Sequence, residues 1–403
     1  RRKFMRTTRK ISDNIYYLGA NDRRIALFEN LFPLNNGVSY NSYFIDDEKT
    51  AVTDTVDRFV SDSFFENLAQ LLNGRPLDYL IVHHMEPDHA ANIGRLIEMY
   101  PDMQVVCSLK ANQMIKQFFG ADLGDRAIIV QDGDSLSLGK HKLHFATAPM
   151  VHWPEVIMSW EESTGILFSA DAFGAFGALD GRIFNDEIQI DESWWSEARR
   201  YYANIVGKYG VQVQAVLKKA AALDVKMIAP LHGPVWRSNV ADFIAKYDLW
   251  SRYQPEEKGV LIAYASMYGN TEAAANALAL ALADRGVDKI RVRDVSVTDV
   301  SELISLAWKY SNIVIAAPTY NGNMHPKMEH FVMDMKHLNL QNRAVSIIEN
   351  GSWGPAVIRK ASEILESMKN MRILEQKISI KSALHDLEPI EKMADEIAAD
   401  LKN

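Results

Sequence analysis

Seven side chains of the metal-ligating type occur in four places along this chain, each directly after an apolar, strand-like run. The densest group lies in residues 84–89, after the run Leu80-Ile81-Val82, and the others follow runs that end near residues 149, 168 and 229. Positions of this kind meet at one edge of a sandwich of two sheets, because the connecting loops converge there. The chain is therefore predicted to fold so that distant strand ends form a single pocket.

The ligand types narrow the choice of metal, since imidazoles and carboxylates without sulfur suit iron, manganese or zinc. Asp171 is the natural bridge between two ions, because carboxylates bridge metals readily and imidazoles do not. The other candidates then divide into His84, Glu86 and His152 for one ion, and Asp88, His89 and His232 for the other. Two histidines and one carboxylate with open positions are typical of non-haem iron that reacts with O2-like ligands.

A lone histidine or aspartate after a strand is more often a structural hydrogen-bonding residue, but the complete segment His-x-Glu-x-Asp-His favours a binuclear site. Pro87 lies inside this segment and predicts an extended or turned backbone rather than a helix. The remaining histidines are interpreted as surface or packing residues, and His83 is expected to point to the opposite face of its strand.

A polar stretch over residues 253–259, with proline and glycine, separates two regions. Residues 1–252 are predicted to form the first domain, in which strand-like runs and helical stretches mix, so that sheets are covered by helices. Residues 259–403 are predicted to form the second. There strands alternate with helices, which predicts a doubly wound parallel sheet that binds ligands beyond the carboxyl ends of its strands.

Three loops of the second domain follow predicted strands and are rich in small and polar residues. They comprise Ser266, Met267, Tyr268, Gly269, Asn270 and Thr271; Pro318, Thr319, Tyr320, Asn321, Gly322 and Asn323; and Asn350, Gly351, Ser352, Trp353 and Gly354. The first loop leads into a helix N-terminus, where backbone N–H groups and the helix dipole favour a phosphate. It lacks both the lysine of NTPase loops and the glycine pattern of dinucleotide sites. Trp353 or Tyr320 could cover an aromatic ring of the ligand.

Bulk properties exclude several classes of protein. The net charge of −8 argues against nucleic-acid binding, which needs a basic face. No apolar stretch approaches the ~20 residues of a membrane span, so no membrane association is expected. The single cysteine, Cys107, cannot form a disulfide framework or a four-cysteine iron site within the chain. It fits a reducing compartment, and a cytoplasmic location is expected.

The whole chain resembles the flavodiiron proteins in its motifs and domain order. Its first domain resembles the metallo-β-lactamase fold, an αββα sandwich, whose hydrolases carry His-x-His-x-Asp-His. Glu86 replaces the second histidine here, as in the flavodiiron version of the motif. The residues that follow His152, Asp171 and His232 are also similar to that family's blocks. The second domain resembles flavodoxin, and its three loops resemble the flavodoxin FMN site.

The resemblance implies an oxidoreductase with FMN and two non-haem iron ions, which reduces O2 to water, NO to N2O, or both. It implies a separate electron donor, such as rubredoxin or a reduced deazaflavin coenzyme, and a head-to-tail homodimer that could pair further into a tetramer. The family's Tyr-Tyr-Ala-Asn segment is matched at residues 201–204. Tyr202 is the candidate for a hydroxyl near the metals, with Tyr201 or a packing role as alternatives.

A zinc-dependent hydrolase with an appended flavodoxin-like module is the alternative from another class. Glu86 weighs against it, because harder oxygen ligation shifts the preference from zinc towards iron. Hydrolysis also needs no flavin.

Overall fold

The structure is a computed structural model that describes residues 7–402. These residues form two compact units. The first contains the chain up to Tyr202 together with Val211–Asp248, and the second contains Ala203–Gly210 together with the chain from Leu249 onward. The boundary expected from the sequence, between residues 252 and 259, stays a prediction.

The first unit is built mainly from short strands. In chain order these are β1 (Arg9–Ser12), β2 (Ile15–Tyr17), β3 (Ala20–Asp22), β4 (Leu27–Phe28), β5 (Phe32–Pro33), β6 (Val38–Tyr40), β7 (Tyr43–Asp46), β8 (Thr50–Thr53), β9 (Tyr79–Ile81), β10 (Gln104–Cys107), β11 (Ala127–Ile129), β12 (Ser135–Ser137), β13 (Lys142–Thr147), β14 (Ile157–Glu161), β15 (Ile166–Phe168) and β16 (Met227–Ala229). Its helices are α1 (Ser61–Leu72), α2 (Pro87–Ala90), α3 (Ile93–Met99), α4 (Leu109–Phe119), α5 (Glu192–Tyr201), α6 (Gly210–Ala220) and α7 (Val240–Ser251).

Two sheets share one core in this unit. The larger has the order β1-β2-β7-β8-β9-β10-β11, and the smaller has the order β12-β13-β14-β15-β16. Ile45 and Val106 of the larger sheet belong to the same buried cluster as Phe145 and Phe168 of the smaller one. Burial of such apolar side chains between sheets is the main stabilising term of a sandwich. This is the αββα sandwich that the sequence predicted.

Local signals set the ends of the helices in this unit. Ser108 precedes α4, and its hydroxyl accepts a hydrogen bond from the backbone N–H of Ala111, as N-cap residues do. Gly120 ends that helix in the left-handed region at φ +64°, which glycine adopts without strain. The loops that carry the metal-type side chains begin at the carboxyl ends of β9, β13, β15 and β16.

The prediction for Pro87 is wrong, because residues 87–90 form a single helical turn, α2. Pro87 is the first residue of this turn, a position at which its missing N–H removes no intrahelical hydrogen bond. Glu86 before it is extended, with φ −61° and ψ 138°, as expected for a residue that precedes proline. The proline therefore starts the turn and does not prevent it.

The second unit is a parallel sheet with a short antiparallel addition. Its strands are β17 (Glu257–Tyr264), β18 (Ile290–Asp294), β19 (Tyr310–Tyr320), β20 (Asn323–Met324), β21 (Ala344–Asn350) and β22 (Arg372–Ile380). Its helices are α8 (Asn270–Asp284), α9 (Val300–Lys309), α10 (Pro326–His337), α11 (Val357–Glu366) and α12 (Glu388–Asp400). The order β18-β17-β19-β21-β22, with every neighbouring pair parallel, is the doubly wound arrangement predicted from the sequence.

One loop of this unit differs from its predicted form. Pro318, Thr319 and Tyr320 extend β19, because Thr319 and Tyr320 pair with the antiparallel strand β20. Across residues 7–402, no helix is both long enough and apolar enough to cross a membrane.

Candidate functional site

The first group of metal-type side chains contains His84, Glu86, His152 and Asp171. The Nε2 atoms of His84 and His152 lie 3.2 and 3.0 Å from Oε2 of Glu86. The same two nitrogens lie 3.3 and 3.1 Å from Oδ2 of Asp171. All four ligand atoms lie within 4.8 Å of one another, so their lone pairs face one small space.

The second group contains Asp88, His89 and His232. The two histidine Nε2 atoms are 2.9 Å apart, and each lies 3.2 Å from Oδ2 of Asp88. Oδ1 of Asp171 lies 3.3 Å from Nε2 of His89 and 3.7 Å from Nε2 of His232. The structure therefore brings all seven side chains together, and Asp171 presents one carboxylate oxygen to each group.

The arrangement fits two metal ions. Asp171 is 1% exposed, and its Oδ1 has no hydrogen-bond partner among the residues that the structure describes. Neither carboxylate oxygen of Asp88 has one within the same range. A buried carboxylate without a donor is costly, and a cation within each group would remove that cost. The donor set of nitrogen and oxygen without sulfur is one that iron accepts.

The pKa shifts of side chains in the two groups also fit a site for metal ions. Burial lowers the pKa of His89, but the carboxylates of Asp88 and Asp171 together outweigh this effect and raise the pKa to about 10. Burial also opposes the charge of His152, but a hydrogen bond to Asp171 raises its pKa to about 9. Burial raises the pKa of Glu86, yet its hydrogen bond with His152 lowers it to about 2. The anionic pocket thus favours cations, and metal ions would displace the protons from the imidazoles.

Contacts behind the ligands orient their rings. Nδ1 of His232 donates to the backbone carbonyl oxygen of Ser39 over 2.7 Å. Nδ1 of His84 lies 2.9 Å from Oε1 of the buried Glu155. Oδ1 of Asp54 accepts from the backbone N–H of His84 over 3.2 Å. Such contacts fix which ring nitrogen faces the metal.

Two of these supporting residues have weak sequence signals that the sequence analysis did not use. Asp54 directly follows β8, as the ligands follow other strands, and Glu155 lies three residues after His152. Asp54 also bonds the ring of His83, whose Nε2 lies 2.8 Å from the hydroxyl of Ser159, so His83 belongs to a buried structural network.

The ring of Tyr201, the first of the two adjacent tyrosines, lies beside a ligand. Its ring centroid is 5.5 Å from that of His232, and its hydroxyl is buried without a hydrogen-bond partner among the described residues. Burial and the nearby carboxylate of Asp171 hold the pKa of Tyr201 well above its ordinary value. Tyr202, the residue singled out from the sequence, packs with its ring edge-on against Tyr247. Successive residues of a helix point about 100° apart, which a sequence motif does not resolve.

In the second unit, a cavity of about 510 Å³ opens at the carboxyl ends of the parallel strands. It is lined by Ser266, Met267, Tyr268, Asn270, Thr271, Pro318, Thr319, Asn321, Gly322, Asn350, Gly351, Ser352, Trp353, Gly354 and Ser382. The volume is within the range of small-molecule sites. Gly269, Tyr320 and Asn323 are not part of this lining. Ser382, just beyond β22, is a lining residue that the sequence analysis missed, although it follows a strand at the same sheet edge.

The lining of the cavity fits FMN. Gly269 caps α8 at φ +91°, which leaves the N–H groups of the first helical turn available to a phosphate. Tyr268 and Trp353 are 91% and 85% exposed, which is unusual for rings of this size and suits rings that cover a planar ligand. Gly351 is tightly packed, since a β-carbon there would lie 3.2 Å from Cα of Pro355. A larger residue at this position would therefore press on Pro355 and disturb the wall of the cavity.

Comparisons with known proteins agree with this geometry. Residues 38–233 match the family described as ODP family beta lactamase, and residues 261–361 match the family described as flavodoxin domain. The chain is 32% identical over 362 residues to a nitric oxide reductase of Moorella thermoacetica, covering 89% of this chain and 90% of that protein.

Solved structures are similar across both units. The rubredoxin oxygen:oxidoreductase of Desulfovibrio gigas superposes with a TM-score of 0.91 at 27% identity, covering 98% of each chain. A flavodiiron protein from Giardia intestinalis superposes with a TM-score of 0.91 at 26% identity, covering 100% of this chain and 97% of that one.

Proposed function

Because the chain belongs to the flavodiiron protein family, we propose that it reduces O2 to water, NO to N2O, or both, with electrons delivered through FMN. It is an oxidoreductase whose cofactors are FMN and a di-iron centre. When bound, the irons supply a place to hold and reduce a diatomic gas, and FMN supplies transfer of one or two electrons. The proteins that share this architecture include a nitric oxide reductase and an oxygen oxidoreductase, which supports both gases as substrates.

The observation that carries the proposal is the position of Asp171. Its two carboxylate oxygens face opposite groups, with Oδ2 3.1 Å from His152 and Oδ1 3.3 Å from His89. A single carboxylate placed in this way would bridge two ions, and Glu86 in place of a histidine adds a hard oxygen ligand that favours iron over zinc. We propose the remaining six side chains as the terminal ligands, as divided above.

The test is anaerobic turnover of protein with measured iron and FMN contents, supplied in turn with NO and with O2. We expect two irons and one FMN per chain, and consumption of at least one gas. Asp171→Asn should lose iron, keep FMN, and lose gas consumption with it. Normal turnover by this variant would contradict the site assignment, and two zinc ions in place of iron would favour the hydrolase.

We propose Tyr201 as the hydroxyl donor beside the metal pocket. Its buried hydroxyl has no partner among the described residues, and its ring lies against the ligand His232. Removing a hydrogen-bond donor from a reaction site commonly lowers the rate by ~10²–10³-fold. Tyr201→Phe should therefore slow gas reduction at unchanged iron content, and Tyr202→Phe is the matched control, which should turn over normally. The reverse result would restore Tyr202 as the candidate.

We further propose that the electron donor is a separate protein such as rubredoxin, or a reduced deazaflavin coenzyme. We also propose that two chains form a head-to-tail homodimer, alone or paired into a tetramer. The lone cysteine supports a separate donor, since a four-cysteine iron site cannot form within these 403 residues. Light scattering after gel filtration tests the assembly, and an active monomer would reject it. Reduction of bound FMN by each donor, followed by absorbance, tests the donor.

A further inference from the structure

The carboxylate of Glu155 lies against a proposed ligand but belongs to neither ligand group. Glu155 is 2% exposed, and its Oε1 accepts hydrogen bonds from Nδ1 of His84 and from the backbone N–H of Met85, each over 2.9 Å. Its Oε2 is buried and has no hydrogen-bond partner within the described part of the chain. The backbone carbonyl of Glu155 accepts from the hydroxyl of Ser108 over 2.8 Å, so the residue is anchored at both its main chain and its side chain.

Among the described residues, no anion accepts from the Nδ1 atoms of the histidines in the second ligand group. The Nδ1 atom of His232 faces a neutral carbonyl oxygen, that of Ser39. The Nδ1 atom of His89 is buried without a hydrogen-bond partner among residues 7–402. The two groups therefore differ in what accepts from the Nδ1 atoms of their histidines, a carboxylate in the first and no anion in the second, although each has two histidines and one terminal carboxylate.

We propose that Glu155 is a positioning residue that makes the ion held by His84 the more tightly bound of the two, and the harder to reduce. An anion that accepts from Nδ1 fixes Nε2 towards the metal and raises its basicity. Its negative charge, on a side chain shielded from solvent, also favours the more oxidised and more positive state of the nearer ion. His152 comes from the same loop, so one segment supplies a ligand and also orients another.

This inference rests on the metal ligation proposed above, and its test does not depend on which gas is reduced. FMN-loaded protein stripped of metal is titrated anaerobically with Co²⁺, and binding is followed by absorbance. The native chain should bind two ions. Glu155→Gln keeps an oxygen acceptor of the same shape but removes the charge, and it should weaken one of the two ions by ~10–100-fold while the other is unchanged.

Glu161→Gln is the matched control. Glu161 is another buried glutamate beside a histidine, with Oε1 3.2 Å from Nδ1 of His141, but it contacts no proposed ligand. This variant should bind both ions normally. A second comparison tests whether Glu155 acts through His84. In a His84→Asn background, Glu155→Gln should weaken Co²⁺ binding no further, because both changes affect the same ion.

Reductive titration of the iron-loaded protein gives an independent readout. In Glu155→Gln the iron held by His84, which is the second to be reduced in the native chain, should be reduced at a higher potential than in the native chain, and Glu161→Gln should match the native chain. If Glu155→Gln does not fold, judged by circular dichroism and urea unfolding, Glu155→Asp replaces it and should weaken one ion by a smaller factor.

The proposal is overturned if either Glu155 variant weakens both ions equally or neither, or if the charge change still weakens binding when His84 is absent. Failure of the native chain to bind two ions would instead reject the metal site itself, and with it the proposed function.

Discussion

Replacing Gly174 by alanine should disturb the wall of the metal pocket. A β-carbon at this position would lie 2.8 Å from Cε1 and 3.0 Å from Cζ of Tyr201, and 3.0 Å from the carbonyl oxygen of Asp171. Ordinary carbon–carbon contacts are ~3.5–4.0 Å, so the ring or the loop must move by roughly 1 Å. Tyr201 is fully buried and packs on His232 and Phe176, which leaves it little room.

Overpacking of this kind costs ~1–3 kcal/mol. We therefore expect Gly174→Ala to lower the free energy of unfolding by about 2 kcal/mol and to reduce the iron content, because Asp171 shifts with its loop. Urea unfolding followed by circular dichroism measures the first effect, and metal analysis measures the second. FMN content should stay unchanged, since the flavin cavity belongs to the other unit.

A second background locates the strain. Tyr201→Leu removes the ring atoms that the new methyl group would meet, so Gly174→Ala should cost less than about 1 kcal/mol when it is added to Tyr201→Leu. If the full cost persists in that background, the ring is not its source. If Gly174→Ala alone is as stable and as iron-rich as the native chain, the close packing of this wall is refuted.

Three further predictions concern charge. Arg343 is 1% exposed and donates to several buried backbone carbonyls. Arg343→Met should therefore lower the free energy of unfolding, measured by urea titration, by ~3–5 kcal/mol. Arg359 belongs to an exposed ion pair, and Arg359→Met should change the same free energy by less than ~0.5 kcal/mol. Burial raises the pKa of Glu161, but hydrogen bonds, first that with His141, lower it to about 2, so Glu161→Gln should cost roughly 2 kcal/mol near neutral pH. Because the pKa of Glu161 is depressed in the folded state, this stabilisation is present above the unfolded pKa of ~4.3 and is lost as the pH falls through about 2. The free energies of unfolding of the native chain and of Glu161→Gln should therefore converge near pH 2. A difference that stays constant with pH would contradict the assignment. Chelation of the metals should lower the thermal midpoint without releasing FMN, because it leaves buried carboxylates without a cation; an unchanged midpoint in calorimetry would show that the metals do not support the fold.

Local patterns in the sequence predicted most of the architecture. Runs of apolar residues mark the strands, and their alternation with helical stretches predicts the parallel sheet of the second unit, because period and connection length leave few topologies. The same reasoning singled out the seven ligand-type side chains, since each follows a strand and strand ends of a sandwich converge. It failed at Pro87, where a rule about proline and helices ignored that the first helical position tolerates proline.

The amino-acid order alone thus specified which chemical groups were available and which strand each one follows. Only the packing of the two sheets brings Nε2 of His89 to within 2.9 Å of Nε2 of His232, 143 residues away, and turns the two oxygens of Asp171 towards different groups. The same packing sets the ring of Tyr201 beside His232 and aligns Glu155 behind His84. Distances of this kind depend on how side chains from remote segments share one core, and spacing along the chain carries no information about that.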